Sequence, residues 1–182
     1  DGKVEFPAVE LTGEGTRSYR IREVKGDAGG VTYDEKSYGL TVDARMSEGD
    51  DAKLDCTVSY DGGEAPTFTN AYGAEGGFKV SASKKLEGRE LKAGEFSFEL
   101  VDADGKVVAA AKNGADGRVS FDEVKLAAAG EYRYAIREKA GSVPGVSYDS
   151  NEYGLTVAAT DNGDGTLSCA VSYDGGSAPT LT

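Results

Sequence analysis

The chain has 182 residues, with 20 Lys and Arg against 32 Asp and Glu and a formal net charge of −12. That balance offers no basic patch for nucleic acid, and the absence of histidine excludes a His-dependent catalytic triad or a His-ligated metal. No run approaches the roughly 20 apolar residues of a membrane helix, and the opening DGKVEFPAVE lacks the basic and apolar regions of a secretory signal.

Taken in chain order, the first half supplies the pattern that the second half repeats. DGKVEFPAVELTGEGTRSYRIREV from Asp1 recurs as DGRVSFDEVKLAAAGEYRYAIREK from Asp116, 115 residues on. SYGLTV ending at Val42 recurs as EYGLTV ending at Val157 at the same offset, and LDCTVSYDGGEAPTFT around Cys56 recurs around Cys169, now 113 residues on. The first copy therefore carries a two-residue insertion in the stretch Met46 to Asp51, where a loop tolerates it. Residues 73–115 have no counterpart before Asp1, and the second copy stops one residue short of the position matching Asn70. These offsets predict that residues 1–72 are the C-terminal part of one module and that 73–182 are nearly all of a second. The chain then reads as a window on a longer tandem array.

The period within each module is two. Tyr19, Ile21 and Glu23 share a face, as do Phe78, Val80, Ala82, Lys84 and Leu86; then Phe96, Phe98 and Leu100; then Tyr132, Tyr134, Ile136 and Glu138. Such alternation predicts half-buried strands, with Val107 to Ala111 as a further strand edge. Between them DADG, NGADG, YDGG and DNGDG supply turn residues. The expected fold is an all-β chain of antiparallel β-sandwich modules. GAEGG at Gly73 to Gly77 reads as the inter-domain link. Cys56 and Cys169, equivalent in the two copies and so too far apart for a disulfide, alternate in phase with apolar neighbours and are expected to be small core residues. The Asp-rich turns at Asp102 and Asp161 lack the closing acid of a calcium loop, so no metal site and no cofactor are expected.

Three polar residues fall on the inward phase. Lys84 points in while Lys85 points out; Glu138, and its equivalent Glu23, follow core-phase residues; Asn70 lies in phase with Phe68 at the end of TFTN, read as a module's last strand. Each is costly to bury alone. A strand-end position, where the polar head reaches water, is the plain structural explanation for any one of them.

Together the runs FKVSASKKLEGRELKAGEFSFEL, GEYRYAIRE, VSYDSNEYGLTV and YDGGEAPTFTN resemble the pilin isopeptide linkage domain of streptococcal pilins and Gram-positive surface adhesins. The resemblance covers essentially the whole chain and implies immunoglobulin-like, Cna B-like sandwiches, the first truncated at its N-terminal side. It further implies that a first-strand lysine joins a last-strand asparagine, assisted by a buried glutamate. By motif these are Lys84, Asn70, and Glu138 in the second module or Glu23 in the first.

Burial would disfavour the ammonium and leave a nucleophilic amine, while a protonated Glu donates to the Asn carbonyl and relays protons as ammonia leaves. No single module here contains all three groups, so the chain alone is expected to close no bond within itself. Alternatively, Lys84 of one copy meets Asn70 of another. The implied role is a self-crosslinked, secreted stalk or fibre of a cell wall, a structural protein and not a turnover enzyme, whose partners are neighbouring modules or copies. The competing reading is an adhesin domain that binds a host glycan or protein through its loops.

Overall fold

The computed structural model describes residues 2–182, the side chains of residues 50–52 excepted. Asp1, where the repeat begins, and the side chains at the far end of the Met46–Asp51 insertion lie outside the described residues. No helix occurs among the described residues, and the chain is all-β, as its alternation predicts. In order the strands are β1 (Gly15–Arg22), β2 (Val31–Thr32), β3 (Ser37–Ser47), β4 (Asp50–Tyr60), β5 (Ala71–Tyr72), β6 (Gly76–Phe78), β7 (Ser81–Lys84) and β8 (Ser97–Asp102). They continue as β9 (Val107–Lys112), β10 (Arg118–Ser120), β11 (Val124–Leu126), β12 (Gly130–Glu138), β13 (Glu152–Asp161), β14 (Leu167–Tyr173) and β15 (Thr180–Leu181). The chain divides into two compact units: residues 1–27 with 32–71, and residues 28–31 with 72–182.

Unit 2 is a sandwich. One layer is the five-stranded sheet β14-β13-β12-β8-β9, antiparallel throughout. The other is made of β10-β7-β15 and the pair β11-β6. In this second layer β7 runs antiparallel to β10 and parallel to β15. Each strand turns its alternate apolar side chains toward the opposite layer. Phe98, Leu100, Ile136, Leu155 and Val157 from the first layer meet Val80, Ala82, Val119 and Leu181 from the second in one dry core. The DADG turn joins β8 to β9: Asp102 Oδ1 accepts the N–H of Asp104 at 3.0 Å and of Lys106 at 2.9 Å. NGADG runs from β9 toward β10 and contains a buried amide. Asn113 Oδ1 accepts the Phe96 N–H at 2.8 Å, and Nδ2 donates to the carbonyls of Lys92 at 2.8 Å and Gly114 at 2.9 Å.

Unit 1 has one three-stranded antiparallel sheet, β1-β3-β4, pairing Tyr19 with Leu40 and Val42 with Val58. Its leading segment repeats the β10–β11 sequence of unit 2 but forms no strand over the described residues 2–14. The paired positions differ sharply. Val119 and Phe121 are 0% and 4% exposed, whereas their equivalents Val4 and Phe6 are 74% and 64% exposed. In unit 2, β10 and β11 are held by hydrogen bonds to β7 and β6; the ladder partner, not the sequence of the strand, decides its burial.

Two expectations are corrected here. GAEGG is not a free link: Ala74 is buried in the core of unit 2, the Glu75 N–H donates to the Gly165 carbonyl, and Gly76 and Gly77 lie in β6. Cys56 is exposed and Cys169 only half-buried. The face of β4 that carries Cys56 has no second layer over it among the described residues of unit 1, so alternation alone does not bury it.

Candidate functional site

Lys84 ends β7, whose Ala82 and Lys84 alternate inward while Ser83, and Lys85 just beyond the strand, face out. Glu138 ends β12, two residues beyond the fully buried Ile136. The phase that selected Lys84 over Lys85 and singled out Glu138 is therefore the phase of the sandwich itself. Lys84 Nζ donates to Glu138 Oε2 at 3.1 Å, with side-chain exposures of 1% and 0%. The ammonium also lies over the Phe96 ring, 4.8 Å from its centroid, and Phe96 packs edge-on to Tyr148 at 5.6 Å. Two charges so thoroughly dried are held at a desolvation cost of several kcal/mol each, offset only by good geometry and further hydrogen bonds.

One of those further bonds comes from the main chain. Glu138 Oε2 also accepts the Asp149 N–H at 2.8 Å. Glu138 Oε1 is buried and has no hydrogen-bond partner among the described residues, a condition that costs about 1–3 kcal/mol.

The Asp149 carboxylate has donors of its own. Its Oδ1 accepts from the Asn151 N–H at 2.9 Å and Nδ2 at 2.7 Å; its Oδ2 accepts from the Tyr153 hydroxyl at 2.8 Å and the Thr182 N–H at 3.3 Å. Burial pushes this carboxyl up, and the hydrogen bonds from Asn151, Tyr153 and Thr182 outweigh it, holding it below its ordinary value.

Unit 1 repeats the arrangement around Glu23, which is half-buried, and Asn70, which is exposed, so neither sits in the dry interior that phase alone predicts. TFTN is not a strand there, whereas its counterpart in unit 2 enters β15 by pairing with β7. Two main-chain contacts nevertheless recur. Glu23 Oε2 accepts the Asp34 N–H at 3.1 Å, as Glu138 does from Asp149. Asp34 Oδ2 accepts the Thr69 N–H at 3.1 Å, as Asp149 does from Thr182. The Lys36 and Thr69 N–H groups hold the Asp34 carboxyl below its ordinary value.

The informative difference lies at the second glutamate oxygen. Asn70 Nδ2 donates to Glu23 Oε1 at 2.7 Å, the oxygen equivalent to the unpartnered Oε1 of Glu138. Unit 2 thus brings the amine to the acid, and unit 1 brings the carboxamide to the equivalent acid. Lys84 and Asn70 belong to different units.

Sequence reasoning missed Asp34, Asp149 and the aromatic floor under Lys84. The signal available was the Tyr-Asp pair preceding YGLTV in both copies, Tyr33-Asp34 and Tyr148-Asp149. Among the described residues no group of His, Cys, Asp and Glu is arranged to hold a metal ion, and no helix is long and apolar enough to cross a membrane.

Comparison with curated proteins found no match to the chain. A family model, by contrast, matches nearly all of it, over residues 1–73 and 80–182, and carries the description Spy0128-like isopeptide containing domain (FctA). With a lysine and a glutamate sealed together in one repeat and an asparagine on the matching glutamate in the other, the chain belongs to that family.

Proposed function

We propose that this chain is part of a surface fibre whose modules crosslink themselves, each joining a first-strand lysine to an asparagine that follows its last strand. Family membership supports a structural role in a pilus-type fibre whose neighbours are copies or modules of the same kind. One observation carries the chemistry: buried Glu138 holds Lys84 on one oxygen and leaves the other open, where equivalent Glu23 holds a carboxamide nitrogen.

The reaction balances without any outside reagent. Lys84 Nζ passes a proton to Glu138, giving a neutral amine and a neutral acid in a dry site. The amine attacks the carboxamide carbon, a C–N bond forms, and the carbonyl electron pair moves onto oxygen. Glu138 then protonates the departing nitrogen and takes back a proton from the newly bonded one, so ammonia leaves and the acid is regenerated. The folded sandwich supplies the acceleration by holding the groups together. Each site reacts once.

The test appends one asparagine after Thr182. The refolded protein should lose the mass of one ammonia and yield a branched peptide containing Lys84, while Lys84→Ala and Glu138→Ala versions retain full mass. Full mass in the well-folded parent would overturn the reading. Because Asn70 is exposed, a second form of the same chemistry joins Lys84 of one copy to Asn70 of another. That form gives a covalent ladder on denaturing gels, abolished by Asn70→Ala.

A further inference from the structure

Resting on that reading, the geometry points to the main-chain N–H of Asp34, and of its equivalent Asp149, as the donor that stabilises the negative charge developing on the carboxamide oxygen, with the aspartate side chain positioning the segment that delivers the carboxamide. The Asp34 N–H lies 2.8 Å from Asn70 Oδ1 as well as 3.1 Å from Glu23 Oε2. A main-chain N–H can only donate. The amide atom facing it must therefore be the oxygen, which fixes an orientation that the amide's shape alone leaves open. The nitrogen then necessarily faces Glu23 Oε1.

This orientation divides the work differently from the expectation that the acid donates to the carbonyl. When an amine attacks, charge gathers on the oxygen, where the aspartate N–H already stands; the nitrogen that must leave sits on the acid that can protonate it. A fixed donor aimed at a developing oxyanion needs no reorganisation during the reaction.

The aspartate side chain explains why the carboxamide arrives there. Asp34 Oδ2 holds the N–H of Thr69, the residue immediately before Asn70. Asp149 Oδ2 holds the N–H of Thr182, the equivalent residue in unit 2. One residue thus grips the terminal segment of the module with its carboxylate, and in unit 1 presents its own N–H at the next position. The grip on the threonine N–H and the aspartate N–H on the glutamate occur in both units.

Two measurements test this. In the chain as it stands, a through-hydrogen-bond scalar coupling should link the Asp34 amide nitrogen to the Asn70 side-chain carbonyl carbon and vanish in Asn70→Ala. If a resolved Asp34 amide shows no such coupling, the proposal is wrong whatever the crosslinking result. In the chain with asparagine appended after Thr182, replacing Asp149 by its α-hydroxy acid converts that N–H to an ester oxygen without changing the side chain. First-order loss of ammonia should then slow on the order of a hundredfold, with an unaltered near-ultraviolet spectrum. Asp149→Ala should slow it too, and Asp149→Asn, which keeps an acceptor oxygen, should recover part of the rate. A folded ester analogue reacting at the parental rate overturns the oxyanion role. A parent that never reacts, with the coupling present, overturns the isopeptide reading and leaves the hydrogen bond standing.

Discussion

Leu181 stands directly opposite Lys84 in the parallel β7–β15 ladder, and its carbonyl accepts the N–H of Lys85 at 2.9 Å. Leu181 is fully buried, so by the two-residue period Thr182 faces out and the next side chain turns inward on the same side as Lys84. The ladder therefore fixes where a carboxamide attached after Thr182 would point, and the Lys84–Glu138 ion pair at the ends of β7 and β12 is what it would meet.

That pair should behave as a buried ion pair does when one member is removed. Lys84→Met leaves Glu138 without its counter-charge, and Glu138→Leu does the same to Lys84. Each single change should lower the unfolding free energy by about 3–5 kcal/mol. The double change should be neutral or stabilise by roughly 1–4 kcal/mol, because it removes both desolvation costs. Chemical denaturation of the four proteins closes the cycle. Additive losses in the double variant would show that the two groups do not interact.

Acid should weaken unit 2 through Asp149. Its carboxyl lies lower in the folded protein than in the unfolded chain, so the folded state binds the proton less readily. The stability it contributes is complete above the ordinary aspartate value of about 3.9 and is lost as pH falls through the lower folded value. Urea midpoints measured from pH 6 downward should therefore fall below about pH 4, and Asp149→Asn should flatten that limb. An identical limb in the variant would assign the acid sensitivity elsewhere.

Asn113 should matter more than a turn residue usually does. Its amide satisfies the Phe96 N–H and the carbonyls of Lys92 and Gly114, and Phe96 is the ring beneath Lys84. Asn113→Ala takes away the partner of the Phe96 N–H, while the Lys92 and Gly114 carbonyls still accept from the N–H groups of Glu95 and Gly117, and should cost about 1–3 kcal/mol. Faster hydrogen exchange at the Phe96 amide, ahead of global unfolding, is the local signature to look for.

Gly117 backs onto the main chain of Lys84. Its φ is +81°, and an added Cβ would lie 2.3 Å from the Lys84 carbonyl oxygen, while the Lys84 N–H donates to the Gly117 carbonyl at 2.7 Å. Gly117→Ala therefore combines a left-handed backbone, costing about 1–3 kcal/mol, with a clash against the strand that carries the lysine. A lower melting temperature together with displaced Lys84 resonances is expected. An unchanged melting temperature would mean that β7 and the turn can shift freely.

How much of this was legible depends on what carries each feature. Lys84 and Glu138 were readable because a polar residue in a strict alternation stands out against its phase. Phe96 was readable as core but not as the ring under an ammonium, since that depends on which strand lies opposite. Asp34 and Asp149 stayed hidden because their contact with the acid runs through a main-chain N–H, which every non-proline residue possesses. Val4 and Phe6 carry the same apolar pattern as Val119 and Phe121 yet are exposed, because pattern states a preference for burial and only a paired strand satisfies it. Cys56 failed for that reason too, and GAEGG misled because glycines in β6 look like a tether when their close packing against β11 and Leu167 is unseen.

The β7–β15 ladder spans the widest sequence separation of any strand pairing in unit 2, from the Ser83–Lys84 end of one to Thr180–Leu181 of the other. Contacts that close the largest loop carry the largest chain-closure entropy and are the slowest kind to form. An amine on β7 and a carboxamide just past β15 would be brought side by side only when this final seam shuts. The covalent step would then act as a completion stamp: half-folded chains could not be welded into a wrong arrangement, and each bond formed would record a sandwich that had already assembled.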